Sequence, residues 1–304
     1  MQEYKIQKGY LQVSELHNIY YEVCGNDAAE PYLFVHGGPG AGFSEHDKRF
    51  FDFDKHKVIF FDQRGASKSE PFGEIKENTT QDLVNDINTL LLHLNIDKMA
   101  VFGGSWGTTL SLVFAIQNPD KIKSLLLRGI FLGNNSAIDH YLNGGVEKEF
   151  PNEWKRFKQN VPLDTPQTIA EYYLDQMLHG TPESKAFYCY EWAFYELSIF
   201  KKGITKPEIE LLLTEFPYES LAIMEAHYLS NACFIDEDYI LNNIEAIKEI
   251  PTAIIHGQSD AICPVTDAIA LHNNLNNSVL YIEDAGHSDS ETAIENRIMK
   301  ILSN

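Results

Sequence analysis

Short β-rich runs that alternate with helical stretches, broken by one long tract holding no such run, limit the folds open to this chain more than any other feature. Up to about residue 131, "YLFVH", "KVIFFD", "KMAVFG" and "KSLLLRGIF" alternate with helical segments such as "TTQDLVNDINTLLLHLNI". That rhythm implies parallel strands joined by crossover helices. From about 133 to 246 the strand runs vanish, and "TIAEYYLDQMLHG", "KAFYCYEWAFYELSIF" and "ESLAIMEAHYLSNACF" carry apolar residues at helical spacing. The β rhythm resumes with "IPTAIIHGQSD" and "NSVLYIEDAGHS", separated by the helix-like "VTDAIALHNNL", and a closing helix falls near 290 to 302. The expected fold is an α/β core, residues 1–132 and 247–304, with a mostly parallel central sheet flanked by helices. Residues 133–246 form an inserted helical segment. The opening "MQEYKIQKGYLQV" alternates polar and apolar residues and is read as a further strand.

Composition excludes several functional classes. A formal charge of −20 repels phosphate backbones and anionic lipid, so neither nucleic acid nor a membrane surface is expected as a partner. Acidity ordinarily serves solubility; it also suits a cationic substrate. The opening stretch of the chain lacks the continuous apolar run that a signal peptide or membrane span requires. Cys24, Cys189, Cys233 and Cys263 lie far apart with no CxxC pair, which suggests neither a zinc site nor a disulfide framework. Reduced thiols in a cytoplasm are expected, with 44% hydrophobic residues supplying the core instead of covalent staples.

Ligand chemistry in open parallel sheets collects at the carboxyl ends of strands, and the junctions there are unusual: "VHGGPG", "FDQRGASKS", "GGSWG", "HGQSDAICP" and "AGHS". Gly103-Gly104-Ser105-Trp106-Gly107 has the form GxSxG, in which a serine sits on a strained strand-to-helix turn with its hydroxyl exposed. A glycine-rich turn that merely lets a helix pack close is the bland alternative. A serine nucleophile needs a histidine base and a carboxylate to hold its tautomer, here in the order Ser, acid, His. Asp260 follows the first strand after the insert, whereas Asp267 falls in the next helical segment. Of the later histidines, His272 belongs to that helix and His287 follows the last strand. The expected triad is Ser105, Asp260 and His287. Backbone N–H groups of Trp106 and Gly38 are the candidate oxyanion donors, with Pro39 stiffening the glycine loop and His36 supporting it structurally.

"HGGPG", "DQRG", "GGSWGTTL", "LRGIF" and "GHS", in this order and approximate spacing, resemble the prolyl iminopeptidases, serine peptidases of the α/β-hydrolase fold. The resemblance spans nearly the whole chain. It implies a metal-independent exopeptidase without a cofactor, which removes an N-terminal proline from peptides and recognises the free amino end with a helical cap. "KAFYCYEWAF" is similar to the family's cap segment bearing one amine-binding glutamate, here Glu191, and "LAIMEAHYL" to the second, placing Glu225. On the same resemblance Arg128 lies close to the amine site and Phe131 lines the proline pocket; pairing of a glutamate with Arg128, and Phe131 as ordinary core, are the structural alternatives. Leu229 stands where a further aromatic is expected, and around Tyr141 and Leu142 the correspondence is loose. A broader aminopeptidase, an amino-acid amidase or a carboxylesterase on the same scaffold is the second reading. A ligand-binding receptor that retains the triad is the third. Cys263, close to Asp260 in sequence, is either a thiol-reagent target or a buried structural cysteine. Oligomeric state is not legible.

Overall fold

The computed structural model describes residues 6–201 and 203–303. Eight strands form one sheet: β1 (Ile6–Gln12), β2 (Asn18–Gly25), β3 (Pro31–Val35), β4 (Lys57–Phe61), β5 (Met99–Gly104), β6 (Ile122–Arg128), β7 (Thr252–Gly257) and β8 (Ser278–Glu283). Their spatial order is β1-β2-β4-β3-β5-β6-β7-β8. β2 runs antiparallel to both its neighbours, and every pairing from β4 to β8 is parallel. Residues 1–5 of the expected first strand lie outside the described residues.

Around this sheet lie α1 (Thr80–His93), α2 (Trp106–Gln117), α3 (Asn135–Leu142), α4 (Pro151–Lys158), α5 (Ile169–His179), α6 (Pro182–Phe200), α7 (Lys206–Glu215), α8 (Tyr218–Ser230), α9 (Tyr239–Asn242), α10 (Val265–Asn274) and α11 (Thr292–Leu302). The chain between β6 and β7 therefore contributes α3 to α9 and, among its described residues, no strand. None of the described helices is long and apolar enough to cross a membrane.

The strand pattern explains why both sheet faces are covered. Side chains alternate across the pleat, so Leu33, Ile59, Val101 and Leu127 enter one apolar layer while Phe34, Phe60, Phe102 and Leu126 enter the other. β5 is buried along its whole length, as a central parallel strand covered on both faces must be. Thr79 starts α1 with a reciprocal capping box: its hydroxyl accepts the Asp82 N–H, and the Asp82 carboxylate accepts the Thr79 N–H. Because β3 to β7 run in one direction, their carboxyl ends, Val35, Phe61, Gly104, Arg128 and Gly257, gather at one edge of the sheet. Every motif singled out above leaves the sheet there.

Candidate active site

Ser105 links β5 to α2 with φ 56° and ψ −126°, a conformation side chains rarely adopt outside functional turns. Its N–H donates to the Arg128 carbonyl at 2.8 Å, which extends the β5–β6 pairing one residue into the turn and holds it. Gly107 makes the turn possible: a Cβ there would stand 2.1 Å from the Val35 carbonyl oxygen. The first turn of α2 can rest on the loop after β3 only with hydrogen at that position.

The geometry joins the three residues named for the triad. Ser105 Oγ lies 2.9 Å from His287 Nε2, and His287 Nδ1 lies 2.7 Å from Asp260 Oδ2. An ionised carboxylate only accepts, so Nδ1 carries the proton and Nε2 is left to take one from the serine. Asp260 Oδ1 accepts the N–H groups of Ile262 at 3.0 Å and Cys263 at 2.8 Å. Burial pushes the Asp260 carboxyl up, but His287, His256 and the Cys263 N–H outweigh it and hold the group below its ordinary value. Asp260 therefore stays ionised beside the imidazole.

A second histidine approaches the same carboxylate. His256 Nε2 is 3.5 Å from Asp260 Oδ2, but its Nδ1 accepts the Ile130 N–H at 3.0 Å and its Nε2 donates to the Cys263 carbonyl at 2.8 Å. Burial lowers its pKa, so it remains a neutral bracket for the two loops. His272 lies on α10 and contacts the Ser278 hydroxyl at 2.8 Å, away from Ser105. Asp260, Cys263 and His287 each bring a donor atom within 4.8 Å of the others, a grouping that could hold a cation. Those Asp260 and His287 atoms are already joined to each other, and burial raises the Cys263 thiol well above its ordinary value, so the set suits proton transfer better than metal ligation.

Two backbone donors close to Ser105 in the chain or in the fold are left without a partner. Among the described residues, neither the Gly38 N–H nor the Trp106 N–H has a hydrogen-bond acceptor in the protein. One belongs to the loop after β3 and the other to the residue that follows Ser105 at the start of α2. His36 is fully enclosed and its pKa is lowered by burial to about 4, so it is a neutral support of the glycine loop.

Side chains from α3, α6 and α8 meet close to the triad. Trp192 Nε1 donates to Glu225 Oε2 at 2.5 Å. The Glu225 carboxyl also lies in hydrogen-bonding reach of Glu196, whose Oε2 is shielded from solvent without a donor among the described residues. Burial first, then the Glu196 charge, raises Glu225 well above the usual carboxylate range. Glu196 is raised by burial and is close enough to His287 to sense its charge. The Tyr141 hydroxyl, buried and unpartnered among the described residues, feels both glutamates. α6 also ends on the triad: the Phe200 carbonyl accepts the His287 N–H at 3.0 Å and the Ser288 N–H at 3.1 Å.

Comparison with known proteins agrees with this geometry. Residues 31–293 match the family model described as the alpha/beta hydrolase fold. The chain is 40% identical over 284 residues to a proline iminopeptidase of Neisseria meningitidis, covering 92% of this chain and 89% of that one. It is 37% identical over 292 residues to a proline iminopeptidase of Arabidopsis thaliana, covering 94% and 76% respectively. The chain belongs to the proline iminopeptidase family of α/β hydrolases. A solved esterase from Exiguobacterium antarcticum, 19% identical with TM-score 0.68 and 98% of each chain covered, shares the fold.

Membership in this family makes the placement of each residue named for substrate binding informative. Glu225 is joined to Trp192 of α6 and lies beside Glu196, which senses the charge of His287. Glu191 is not so placed: both its carboxylate oxygens accept from Arg156, at 2.8 Å each, and Arg156 in turn stacks 3.5 Å from the Phe194 ring centre. The reason is helical phase. Positions 191 and 196 leave α6 about 140° apart, so only one can face α8. The expectation for Glu191 is thus corrected, and Glu196, four residues after Trp192 and on the same face, occupies the place beside Glu225. Arg128 reaches the site as a brace, donating from Nη1 to the His287 carbonyl at 2.9 Å; it pairs with neither glutamate. Its Nε is buried without an acceptor among the described residues. Phe131 is pinned beside the nucleophile helix: its N–H donates to Thr108 Oγ1 at 3.0 Å and its carbonyl accepts Thr109 Oγ1 at 2.6 Å. Sequence reasoning missed Glu196, Trp192, His256 and the role of Tyr141. The four-residue step from Trp192 to Glu196 was the one available signal for the acid.

Proposed function

We propose that this protein is a serine exopeptidase that hydrolyses the N-terminal proline from peptides through an acyl-enzyme on Ser105. His287 takes the serine proton as Oγ attacks the scissile carbonyl, Asp260 stabilises the imidazolium, and the Gly38 and Trp106 N–H groups receive the oxyanion. The same histidine then protonates the departing amine and activates water for deacylation. The observation that carries this reading is the Glu196–Glu225 pair held close to the triad. A shielded acidic pair suits a protonated prolyl amine, and Glu196 lies close enough to the triad to sense the charge of His287. The helical segment 133–246 acts as the cap that carries amine recognition, with Tyr141 and Phe131 walling the ring pocket. The activity that names the relatives, proline iminopeptidase, supplies the same substrate class when carried over to this chain. The four cysteines are all free and buried, which favours a cytoplasmic setting, and no step calls for a metal or cofactor.

The test compares release of a chromogenic amine from proline, alanine and N-blocked proline conjugates. Proline is expected to exceed alanine, and blocked proline to release nothing measurable. Equal rates on all three would replace this reading with a broader amidase or esterase; binding without any acyl-enzyme would indicate the receptor.

The acid pair also sets a pH dependence. Both carboxyls are raised in the folded protein, so their negative charge develops only as pH climbs above the ordinary carboxylate range. Cation affinity should therefore rise with pH. The ratio of kcat/KM for a free-amine proline amide to that for an uncharged ester should increase as pH rises above the ordinary carboxylate range, because the steps common to both substrates cancel on division. A flat ratio would show that the pair does not bind the amine.

A further inference from the structure

The two oxyanion donors come from segments far apart in sequence, the loop after β3 and the first residue of α2, and a single buried side chain spans the gap. Gln63, in the loop after β4, is 2% exposed. Its Oε1 accepts the Trp106 indole Nε1–H at 2.9 Å, and its Nε2 donates to the His36 carbonyl at 2.9 Å. Its own backbone N–H donates to His36 Nε2 at 3.0 Å. The amide orientation is forced, because an indole N–H can only donate and a carbonyl can only accept.

Resting on the serine-hydrolase reading above, we propose that Gln63 is a positioning residue that sets the separation of the Gly38 and Trp106 N–H groups. His36 begins the loop that carries Gly38, so holding its carbonyl and ring fixes where that loop starts. Trp106 donates to the oxyanion through its backbone and to Gln63 through its ring, so the same residue is anchored at one end and functional at the other. Steric contact alone leaves a degree of freedom. Glycines at 37 and 107 let the loop and helix meet at van der Waals distance, but smooth backbone surfaces can slide, whereas two opposed hydrogen bonds to one planar amide cannot without leaving a buried group unpaired. The Trp106 ring also meets Tyr228 of α8 in an edge-type contact, with ring centres 4.8 Å apart. The clamp therefore extends to the helix that carries Glu225.

The oxyanion forms only on the way to the tetrahedral state, so loosening its donors should slow turnover without weakening ground-state binding. Gln63→Met, similar in length but unable to make either amide bond, is expected to lower kcat about tenfold to a hundredfold with KM within about twofold. Affinity for a proline boronic acid, which forms a tetrahedral adduct on the serine, should fall by a similar factor, while affinity for free proline stays the same. Trp106→Phe removes the other end of the clamp, and the double variant should lose no more than either single variant, because both break one link. Rates are to be read on proline p-nitroanilide and on p-nitrophenyl acetate. The ester also passes through a tetrahedral oxyanion, so the clamp is tested even if the wild-type enzyme does not prefer proline, and a failure of that preference is read separately on the wild-type protein. Unchanged kcat and unchanged boronate affinity in Gln63→Met would overturn the proposal. So would losses in the two single variants that multiply in the double. Should Gln63→Met not fold, Trp106→Phe and Gln63→Glu, which keeps an acceptor for the indole, carry the same kinetic test.

Discussion

Ser105→Ala is expected to lower kcat on a proline amide by about 10⁴-fold or more while the protein keeps its fold. Alanine keeps the Cβ and the N–H, so the backbone at φ 56° is no more strained than before, and the bond to the Arg128 carbonyl survives. Only the hydroxyl is lost, and His287 stays anchored to Asp260 at 2.7 Å. Activity and thermal unfolding measured on the same preparation check the two halves. A variant that turns over at the wild-type rate removes Ser105 as nucleophile; one that is inactive because it has melted says that the turn depends on the hydroxyl for stability.

Glu196→Gln and Glu225→Gln separate amine recognition from hydrolysis. Each replaces a carboxyl by a neutral amide of the same size, and the loss of one charge-assisted hydrogen bond is worth about 1.5–3 kcal/mol. The kcat/KM for free-amine proline substrates should fall about tenfold to 150-fold, with p-nitrophenyl acetate hydrolysis nearly unaffected. Glu191→Gln is the contrasting variant. It weakens the bidentate contact with Arg156, whose side chain is 33% exposed, so solvent screening keeps the stability cost under about 1 kcal/mol. Its selectivity for free amines should match the wild type. If instead Glu191→Gln lost amine selectivity and Glu196→Gln retained it, the site assignment on α6 would be reversed.

These expectations rest on features of unequal visibility. The alternation of β runs and helices was readable because each element's period is local: two residues for a strand and 3.6 for a helix. The nucleophile turn was readable because its constraint is also local, a strained serine between glycines that admit a close neighbour. Asp260 and His287 followed from chain order and from the rule that parallel strands deliver their ends to one edge, where His272, on a helix, is not delivered.

α6 resisted the same treatment. Its buried residues include Cys189, Glu191, Trp192, Phe194, Tyr195 and Leu197, which surround the helix instead of forming one stripe. An apolar stripe gives a helix its phase, and without one nothing in the local pattern says which glutamate faces α8 and which faces α4. Arg156, 35 residues upstream of Glu191, and Glu225, 33 residues downstream of Trp192, settle the phase from opposite sides. Gln63 is the parallel case in the core. A glutamine after a strand carries no sign of an indole 43 residues further on, and the clamp exists only because β4, β3 and β5 lie side by side. Backbone turns and the order of the triad were written in short stretches of chain, since local conformational preferences dictate them. The carboxyl beside Glu225 and the indole bound by Gln63 came from packing, because a side chain's partner is chosen by whatever element the fold sets against it.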